Sequence, residues 1–262
     1  MGRKYVEFFR TTDAAHVTSL DKGDSLTSQV PVHDIVLISV TISCAAATAK
    51  QILPLLKANS LICDINSLKG QLCDIYTTRE QGEALGLHPM HGPSVASFKN
   101  QKLIVCPIKE GPFSSWLLDT FSNAGYLIHR TSAKAHDKAM CAVQILRHFS
   151  IMVLGDSLKE LGITVEDTEP FMSPAYQLQS SLIGRLFDED PKLYGEIIRA
   201  NPDAGLVMEK FLRSASLLQE LLLLEDSSGF DERFNEIRGF LGASVGKSRA
   251  FSDELVDYIA KK

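Results

Sequence analysis

The sequence predicts an α/β domain over residues 1–130, followed by an all-helical domain over residues 131–262. Two observations carry this prediction. Up to about residue 130, apolar runs of strand length alternate with helical patterns, which is typical of βαβ units in a mostly parallel sheet. Beyond that point no run has the composition of a strand, and apolar residues recur with the period of a helix.

Each element of the α/β half has its own signal. "DIVLISV" at 34–40 and "SLICDI" at 60–65 are continuous apolar runs, as expected of strands that are buried on both faces. A third strand ends at His88, because Pro89 favours extended dihedral angles in the residue before it. The remaining strands are predicted at 102–108 and 126–130, and helices at 44–57, 68–79 and 112–125.

Turn signals divide the helical half. Asp190 and Pro191 mark one break, and "DSSGFD" at 226–231 marks another. The segment 216–226, "SLLQELLLLED", is apolar all round, so we expect it in the core or against a second subunit. Helices are predicted at 134–160, 173–187, 191–200, 203–226 and 230–260.

The composition argues against several classes of protein. A net charge of −5 disfavours nucleic acid or an acidic membrane surface as the main partner. Five cysteines without a CxxC pair lie mostly in apolar runs, which predicts reduced, buried thiols in a cytoplasmic protein. No apolar stretch approaches the length of a membrane span, and "MGRKYV" lacks the pattern of a signal peptide.

Three polar segments follow predicted strands, at 39–41, 66–70 and 88–93. Ligands of parallel α/β sheets bind beyond the carboxyl ends of the strands, so we expect a site there in a Rossmann-like fold. A histidine fixed at a strand end suits proton transfer, and we expect His88 to be neutral with a pKa near its ordinary value. The spacing of His88 and His91 would also suit zinc, but no third ligand is evident, and no metal is predicted.

The segment "NSLKG" has two interpretations. Asn66 or Ser67 could cap the helix that follows. Alternatively, Ser67 orients His88 through a hydrogen bond, while Lys69 supplies positive charge for an anionic ligand.

The phosphate-binding loop is incomplete in this sequence. The pattern GxGxxG needs a strand before it, and here only Gly2 opens a helical pattern. "AHVTSLD" at 15–21 is interpreted as a second strand that ends at Asp21, 19 residues after Gly2, which is the offset of the acidic residue that binds ribose. We expect an N-terminally truncated Rossmann-like domain without its first strand. Its predicted cofactor-binding residues are Gly2, Asp21, Ser39, Val40 and Thr41.

In the helical half, three side chains are candidates for binding a ligand. Gln144 and His148 are one helical turn apart. Arg185 lies within an apolar segment, so it needs an anionic partner, which is either a ligand carboxylate or an acidic residue at 188–190.

Four motifs, in their order and spacing, resemble the prephenate dehydrogenase family: "DINSLKG", "LGLHPMHGP", "AHDKAM…LRHF" and "GRLFDEDPKLYGEII". The similarity is nearest to the dehydrogenase part of the bifunctional chorismate mutase–prephenate dehydrogenases, although the sequence given has no mutase segment. This resemblance covers essentially the whole chain. It implies a homodimer that converts prephenate to 4-hydroxyphenylpyruvate, with loss of carbon dioxide and hydride transfer to NAD, in tyrosine biosynthesis.

The same resemblance implies roles for individual residues. His88 would be the catalytic base, and Ser67 would orient both His88 and the substrate. His91 stands where the family would have an aromatic residue such as Phe. The substrate-binding residues would be Arg185, which grips a carboxylate, with His148, Lys69 and Gln144.

Alternatives to this activity stay open. One is a catalytically silent homologue that acts as a binding protein, because the cofactor loop is degenerate. Others are an arogenate dehydrogenase and a related hydroxyacid dehydrogenase, although the second has no evident use for the "HPM" and "GRLF" segments. The short loop also predicts that this form binds NAD poorly, and that an upstream extension would restore binding.

Overall fold

The computed structural model describes residues 1–12 and 16–261. It divides into two packed units. The first contains Met1–Cys141 together with Glu196–Pro202, and the second contains Ala142–Gly195 and Asp203–Lys262. The domain boundary at residue 130 stays a prediction; by packing, the helix that begins at Ala133 lies with the first unit.

The first unit is built on a five-stranded sheet with the strand order β1-β2-β3-β4-β5. Neighbouring strands are parallel except β3 and β4, which are antiparallel. The strands are β1 (Ile35–Ile38), β2 (Leu61–Asp64), β3 (Glu83–Pro89), β4 (Lys102–Lys109) and β5 (Leu127–Arg130). The sequence therefore predicts all five strands, and the α/β fold class with a mostly parallel sheet is confirmed.

Helices flank this sheet. They are α1 (Gly2–Arg10), α2 (Leu26–Gln29), α3 (Ile42–Ile52), α4 (Gly70–Thr77), α5 (Pro112–Asn123) and α6 (Ala133–Met140). Aromatic rings of α1 pack onto the sheet: Tyr5 stacks on Phe98 with ring centroids 5.6 Å apart. The buried Tyr5 hydroxyl also lies 2.7 Å from the hydroxyl of Tyr126, which holds α1 against the start of β5.

Strand β3 carries His88 through the core because every residue from Glu83 to Pro89 is buried. Gly86 is required at its centre. A Cβ there would lie 2.9 Å from Cys73 Sγ and 3.0 Å from Lys69 Cδ. The absence of a side chain at Gly86 therefore lets α4 and Lys69 pack directly against the strand that ends in His88.

The predicted strand at 15–21 is wrong for its described part. Ala15 lies outside the described residues, and residues 16–21 form no strand. Asp21 instead begins an exposed turn, in which its backbone N–H donates to Asp24 Oδ2 at 2.7 Å. A strand needs a hydrogen-bonding neighbour, and within the described residues β1 pairs with β2 alone.

The second unit is helical, as predicted. Its helices, counting α10, which also extends into the first unit, are α7 (Arg147–Leu161), α8 (Val165–Thr168), α9 (Pro174–Phe187), α10 (Pro191–Ala200), α11 (Ala204–Leu223), α12 (Ser227–Leu241) and α13 (Ser244–Ala260). The single helix predicted at 230–260 is wrong, since it is divided between α12 and α13. Gly242 separates them with a φ of 55°, in the left-handed region that favours glycine.

The leucine-rich segment 216–226 does not lie in the core of the chain. Ala204 is the buried residue of α11, and Leu223 is 74% exposed. The expectation of a core position is therefore wrong, which leaves the alternative that a second subunit covers this surface.

One helical run is long and apolar enough to qualify as a membrane span by length and composition. It extends over Ala133–Leu161, because a π-helical stretch at Cys141–Leu146 joins α6 to α7. The expectation that no segment would qualify is therefore wrong. A single run of this kind is weak evidence for a span, since core helices of globular proteins meet the same criterion.

All five cysteines are free thiols. Cys63, Cys73 and Cys106 are buried, Cys141 is half-buried and Cys44 is exposed. Burial raises the pKa of Cys73 to about 12 and that of Cys106 to about 11. The thiols of Cys73 and Cys106 are therefore protonated and unreactive at neutral pH.

Candidate active site

His88 lies at the carboxyl end of β3 and is 4% exposed. Its Nδ1 is 2.8 Å from Nε2 of His136, which is buried in α6. Nδ1 of His136 is in turn 2.7 Å from Oδ1 of Asp137. Three side chains thus form a continuous hydrogen-bonded chain, His88–His136–Asp137, from the strand end to a carboxylate.

The Asp137 carboxylate also accepts hydrogen bonds from two backbone amides at the start of α4, those of the N-cap residue Lys69 and of Gly70. Lys69 N donates to Oδ1 at 2.9 Å, and Gly70 N donates to Oδ2 at 2.8 Å. Burial raises the pKa of Asp137, but the hydrogen bonds from His136, Lys69 and Gly70 outweigh it, and the pKa lies below its ordinary value. Asp137 is therefore ionised at neutral pH, and it places a fixed negative charge at the far end of the hydrogen-bonded series His88–His136–Asp137.

The environment of His88 disfavours its charged form. Burial lowers its pKa well below 6.5, and the neighbouring His136, Lys69 and His91 add to the effect. The expectation of an ordinary pKa is therefore corrected, whereas the expectation of a neutral imidazole agrees with this shift. A neutral histidine at neutral pH can accept a proton.

Lys69 is fully buried, and its ammonium group is bound by groups of the protein. Its Nζ pairs with Asp64 at the end of β2 and donates to the carbonyl of Leu87 at 2.7 Å. To reach an external carboxylate, Lys69 would have to leave Asp64 as a buried, uncompensated charge. This geometry assigns Lys69 to fixing the backbone beside His88, and its predicted contact with substrate finds no support here.

The "NSLKG" segment differs from both expectations. Ser67 is half-buried, and within the described part of the chain its hydroxyl makes no hydrogen bond to His88. The start of α4 is not capped by Asn66 or Ser67 either, because Asp137 binds the first amides from α6. His136 therefore takes the orienting position expected of Ser67, and substrate contact by Ser67 stays a prediction.

His91 takes the place of an aromatic ring. It stacks on Tyr126 with centroids 5.6 Å apart, and its Nε2 lies 2.6 Å from the Tyr126 hydroxyl. The Tyr126 hydroxyl also contacts Tyr5 of α1. Lys4 of α1 hydrogen-bonds the carbonyl of Val95 in the same loop. The loop after His88 is therefore attached to α1 and β5.

Two of the predicted cofactor residues touch. A Cβ on Gly2 would lie 2.9 Å from Ser39 Oγ and 3.2 Å from Ser39 Cβ, so any larger residue would force Ser39 to shift, and glycine favours this close approach of α1 to the end of β1. Val40 is exposed, and Thr41 is the N-cap residue of α3. Four of the five predicted positions thus surround the carboxyl end of β1. Asp21, in its exposed turn, lies outside any strand.

In the helical unit, His148 is buried and held by its neighbours. Its Nδ1 is 3.2 Å from Nη1 of Arg147, and its ring is 4.7 Å from that of Tyr194. Burial and the charge of Arg147 lower the pKa of His148 to about 4. Because Arg147 only donates, the neutral His148 carries its proton on Nε2 and can donate a hydrogen bond from there.

The other two predicted substrate residues differ in exposure. Gln144 is half-buried within the π-helical stretch. Arg185 is exposed in the last turn of α9. The expectation that it would be buried in an apolar segment is therefore wrong. Within residues 1–12 and 16–261, no ion pair joins it to the acidic residues at 188–190.

Sequence reasoning missed the partners of the central residues. The carboxylates of Asp137 and Asp64 and the imidazole of His136 are absent from the predicted site residues. A usable signal existed in "AHDKAM", where adjacent histidine and carboxylate follow an N-terminal Ser132 that caps α6. Among the described residues, no group of three His, Cys, Asp or Glu side chains could hold a metal ion.

The α/β unit has the Rossmann-like architecture of nucleotide-binding domains, and the chain matches two family models in sequence. Residues 9–117 match the nucleotide-binding domain of prephenate dehydrogenase, and residues 132–236 match its dimerization domain. The chain belongs to the prephenate dehydrogenase family.

Individual relatives agree with this. The T-protein of Enterobacter agglomerans is 30% identical over 86% of this chain and 61% of its own length. A probable arogenate/prephenate dehydrogenase of Methanocaldococcus jannaschii is 28% identical over 85% of this chain and 51% of its own length. The chain thus spans only 51% to 61% of the length of these relatives.

A solved structure shares the fold. Prephenate dehydrogenase from Aquifex aeolicus, in complex with hydroxyphenyl propionate and NAD+, superimposes with a TM-score of 0.59 at 22% identity. The match covers 78% of this chain and 74% of that one.

Proposed function

We propose that this protein oxidises and decarboxylates prephenate to 4-hydroxyphenylpyruvate with NAD as hydride acceptor. The observation that carries the proposal is the buried, neutral His88, which is bonded through His136 to the ionised Asp137 at the ligand-binding edge of a Rossmann-like sheet. The family match to a nucleotide-binding domain supports a dinucleotide next to that edge.

His88 would act first as base and then as acid. It takes the proton of the ring hydroxyl while the carbon that bears this hydroxyl gives up its hydride. The resulting ketone is conjugated to the carbon that bears the carboxylate, so carbon dioxide leaves and its bonding electrons move through the ring to the oxygen. His88 then returns the proton to that oxygen, which leaves a phenol and no net proton change.

NAD, when bound, supplies the site that accepts the hydride. The residues at the end of β1 suit it, because Gly2 leaves space beside Ser39 and places the start of α1 there, where a helix offers unpaired amides to an anion. Gly2, Ser39, Val40 and Thr41 are the residues of this unit that we assign to the dinucleotide, and Asp21 stays the predicted ribose ligand.

The proposal is tested by following reduced nicotinamide with NAD and either prephenate or arogenate. Turnover with prephenate supports it, and turnover with arogenate alone assigns the amino analogue as substrate instead. Binding of prephenate by calorimetry without any turnover would identify a silent homologue and refute the proposed activity. Titration of NAD in the same experiment tests the expectation of weak cofactor binding.

Replacement of Arg185 with Ala is expected to raise the KM for prephenate about tenfold or more with little change in kcat, since a carboxylate clamp acts in ground and transition states alike. Arg185 is exposed and carries no ion pair with 188–190 in the described residues, so the fold should be unaffected. Steady-state kinetics measure the effect, with Arg199→Ala on α10 as the matched control. An unchanged KM would remove Arg185 from the substrate site.

We also propose a cytoplasmic homodimer that forms through the helical unit. Leu223 and Leu224 are 74% and 70% exposed, and Phe240 is 91% exposed, which is unusual for apolar side chains that face only water. The match of residues 132–236 to a dimerization domain supports a dimer formed through this unit.

Light scattering at micromolar concentration should give twice the mass of one chain. A monomeric mass would contradict the proposed dimer. Leu223→Glu should shift the mass towards the monomer, whereas Leu127→Glu on β5 should not.

A further inference from the structure

We propose that His136 and Asp137 are positioning residues that fix the protonation pattern of His88. They would hold the His88 proton on Nδ1 and leave the lone pair on Nε2. The structural part of this inference stands on the hydrogen bonds and on the ionised carboxylate of Asp137, and only its kinetic part rests on the proposed function.

The carboxylate of Asp137 determines which nitrogen donates in each of these hydrogen bonds. Ionised Asp137 only accepts hydrogen bonds, so Nδ1 of His136, at 2.7 Å, must carry a proton. A neutral His136 then has an unprotonated Nε2, which accepts from whatever faces it. The group that faces it is Nδ1 of His88, at 2.8 Å. His88 therefore carries its proton on Nδ1, and Nε2 is the basic nitrogen.

Other hydrogen bonds hold the Asp137 carboxylate in the position from which it fixes the protons of His136 and His88. Two backbone amides and His136 donate to it, and the side-chain amide of Asn201 lies 3.5 Å from its carbonyl oxygen. The two backbone amides and His136 hold the pKa of the carboxylate below its ordinary value, and Asn201 fixes the backbone of Asp137 instead. When His88 takes up a proton on Nε2, the charge of Asp137 lies one imidazole ring away and offsets the new cation.

The other charges around His88 do not replace this effect. Lys69 is positive and disfavours a second cation, and its partner Asp64 is engaged with it. His91 points its Nε2 at Tyr126. Asp137 is connected to His88 by hydrogen bonds through the ring of His136.

The first test is the 15N NMR spectrum of the histidine side chains of the intact protein at neutral pH. The chain has seven histidines, and loss of one signal set in His88→Gln assigns His88. We expect His88 with a protonated Nδ1 and an unprotonated Nε2. The opposite tautomer in the wild-type protein would overturn the inference, whether or not the protein is a dehydrogenase.

The second test removes the positioning residues one at a time. His136→Phe keeps a buried ring but removes the acceptor, and Asp137→Ala removes the charge. In both, we expect a substantial population of His88 with the proton on Nε2. His129→Phe and Asp119→Ala, at exposed positions, should leave the His88 spectrum unchanged. An unchanged tautomer in a folded His136→Phe protein would refute the role of His136, even if Asp137→Ala does not fold.

The kinetic test uses prephenate and NAD. His136→Phe should lower kcat at least tenfold and leave KM within about threefold, because it alters the base and not the binding groups. A changed tautomer without any effect on kcat would keep the structural inference and refute His88 as the base in the proposed function. A normal kcat with a normal tautomer would refute both roles of His136.

Discussion

Replacement of His88 with Asn is expected to lower kcat for prephenate by about 100-fold or more, which is typical for the loss of a general base. His88 is buried at the end of β3, and Asn can still hydrogen-bond to His136, so the fold should survive. Turnover is followed as reduced nicotinamide, and circular dichroism checks the fold. Exposed His129→Asn is the matched control and should retain activity. A folded His88→Asn protein with normal turnover would remove His88 from the mechanism.

The pH dependence of kcat/KM tests the state of the same residue. Because burial lowers the pKa of His88 well below 6.5, the imidazole is neutral throughout the neutral range and loses its basic form only in acid. The acid limb of the profile should therefore lie below pH 6.5, and a limb above it would contradict this environment.

The free energy of unfolding should also decrease as the pH falls. Near pH 6.5, His88 becomes protonated in the unfolded chain but stays neutral in the folded chain. The free energy of unfolding therefore decreases as the pH falls below that value.

Replacement of Lys69 with Met should lower the free energy of unfolding by about 3 to 5 kcal/mol, the usual result of removing one partner of a buried ion pair. Asp64 would be left buried without its countercharge, and the carbonyl of Leu87 would lose its donor. Urea unfolding monitored by circular dichroism measures the loss. The exposed pair Lys57–Asp34, at 2.8 Å, offers the control: Lys57→Met should cost no more than about 1 kcal/mol.

A second variant separates charge from packing in this experiment. Combining Lys69→Met with Asp64→Leu removes both charges, so much of the lost stability should return. If Lys69→Met alone costs less than the Lys57→Met control, Lys69 is not the residue that holds β2 and β3 together beside His88.

The strands and the position of His88 could be predicted because their signals are local. Buried parallel strands are continuous apolar runs, and Pro89 restricts the residue before it. The break at Gly242 was missed, because one glycine in an otherwise periodic segment is compatible with an unbroken helix. The strand at 15–21 was wrong because a strand depends on a neighbour to pair with, which a local pattern does not contain.

The partners in the site could not be predicted from local patterns. The bond between His88 and His136 spans 48 residues, and the one between Lys69 N and Asp137 spans 68. Each histidine or carboxylate alone is equally compatible with a surface or a core position. The same limit applies to Lys69. A lysine beside the strand that ends in His88 could bind an anion, but its ammonium group pairs with the buried Asp64.

The distribution of the thiols makes the chain suitable for fluorescence labelling. Cys63, Cys73 and Cys106 are shielded from maleimides, and Cys141→Ser would leave Cys44 as the reactive site among the five cysteines. The backbone N–H of Cys44 donates to the carbonyl of Thr41 at 3.1 Å, so a dye on this thiol would lie next to the segment that we propose binds the dinucleotide. Its emission would report nucleotide binding directly, without turnover and without a second label.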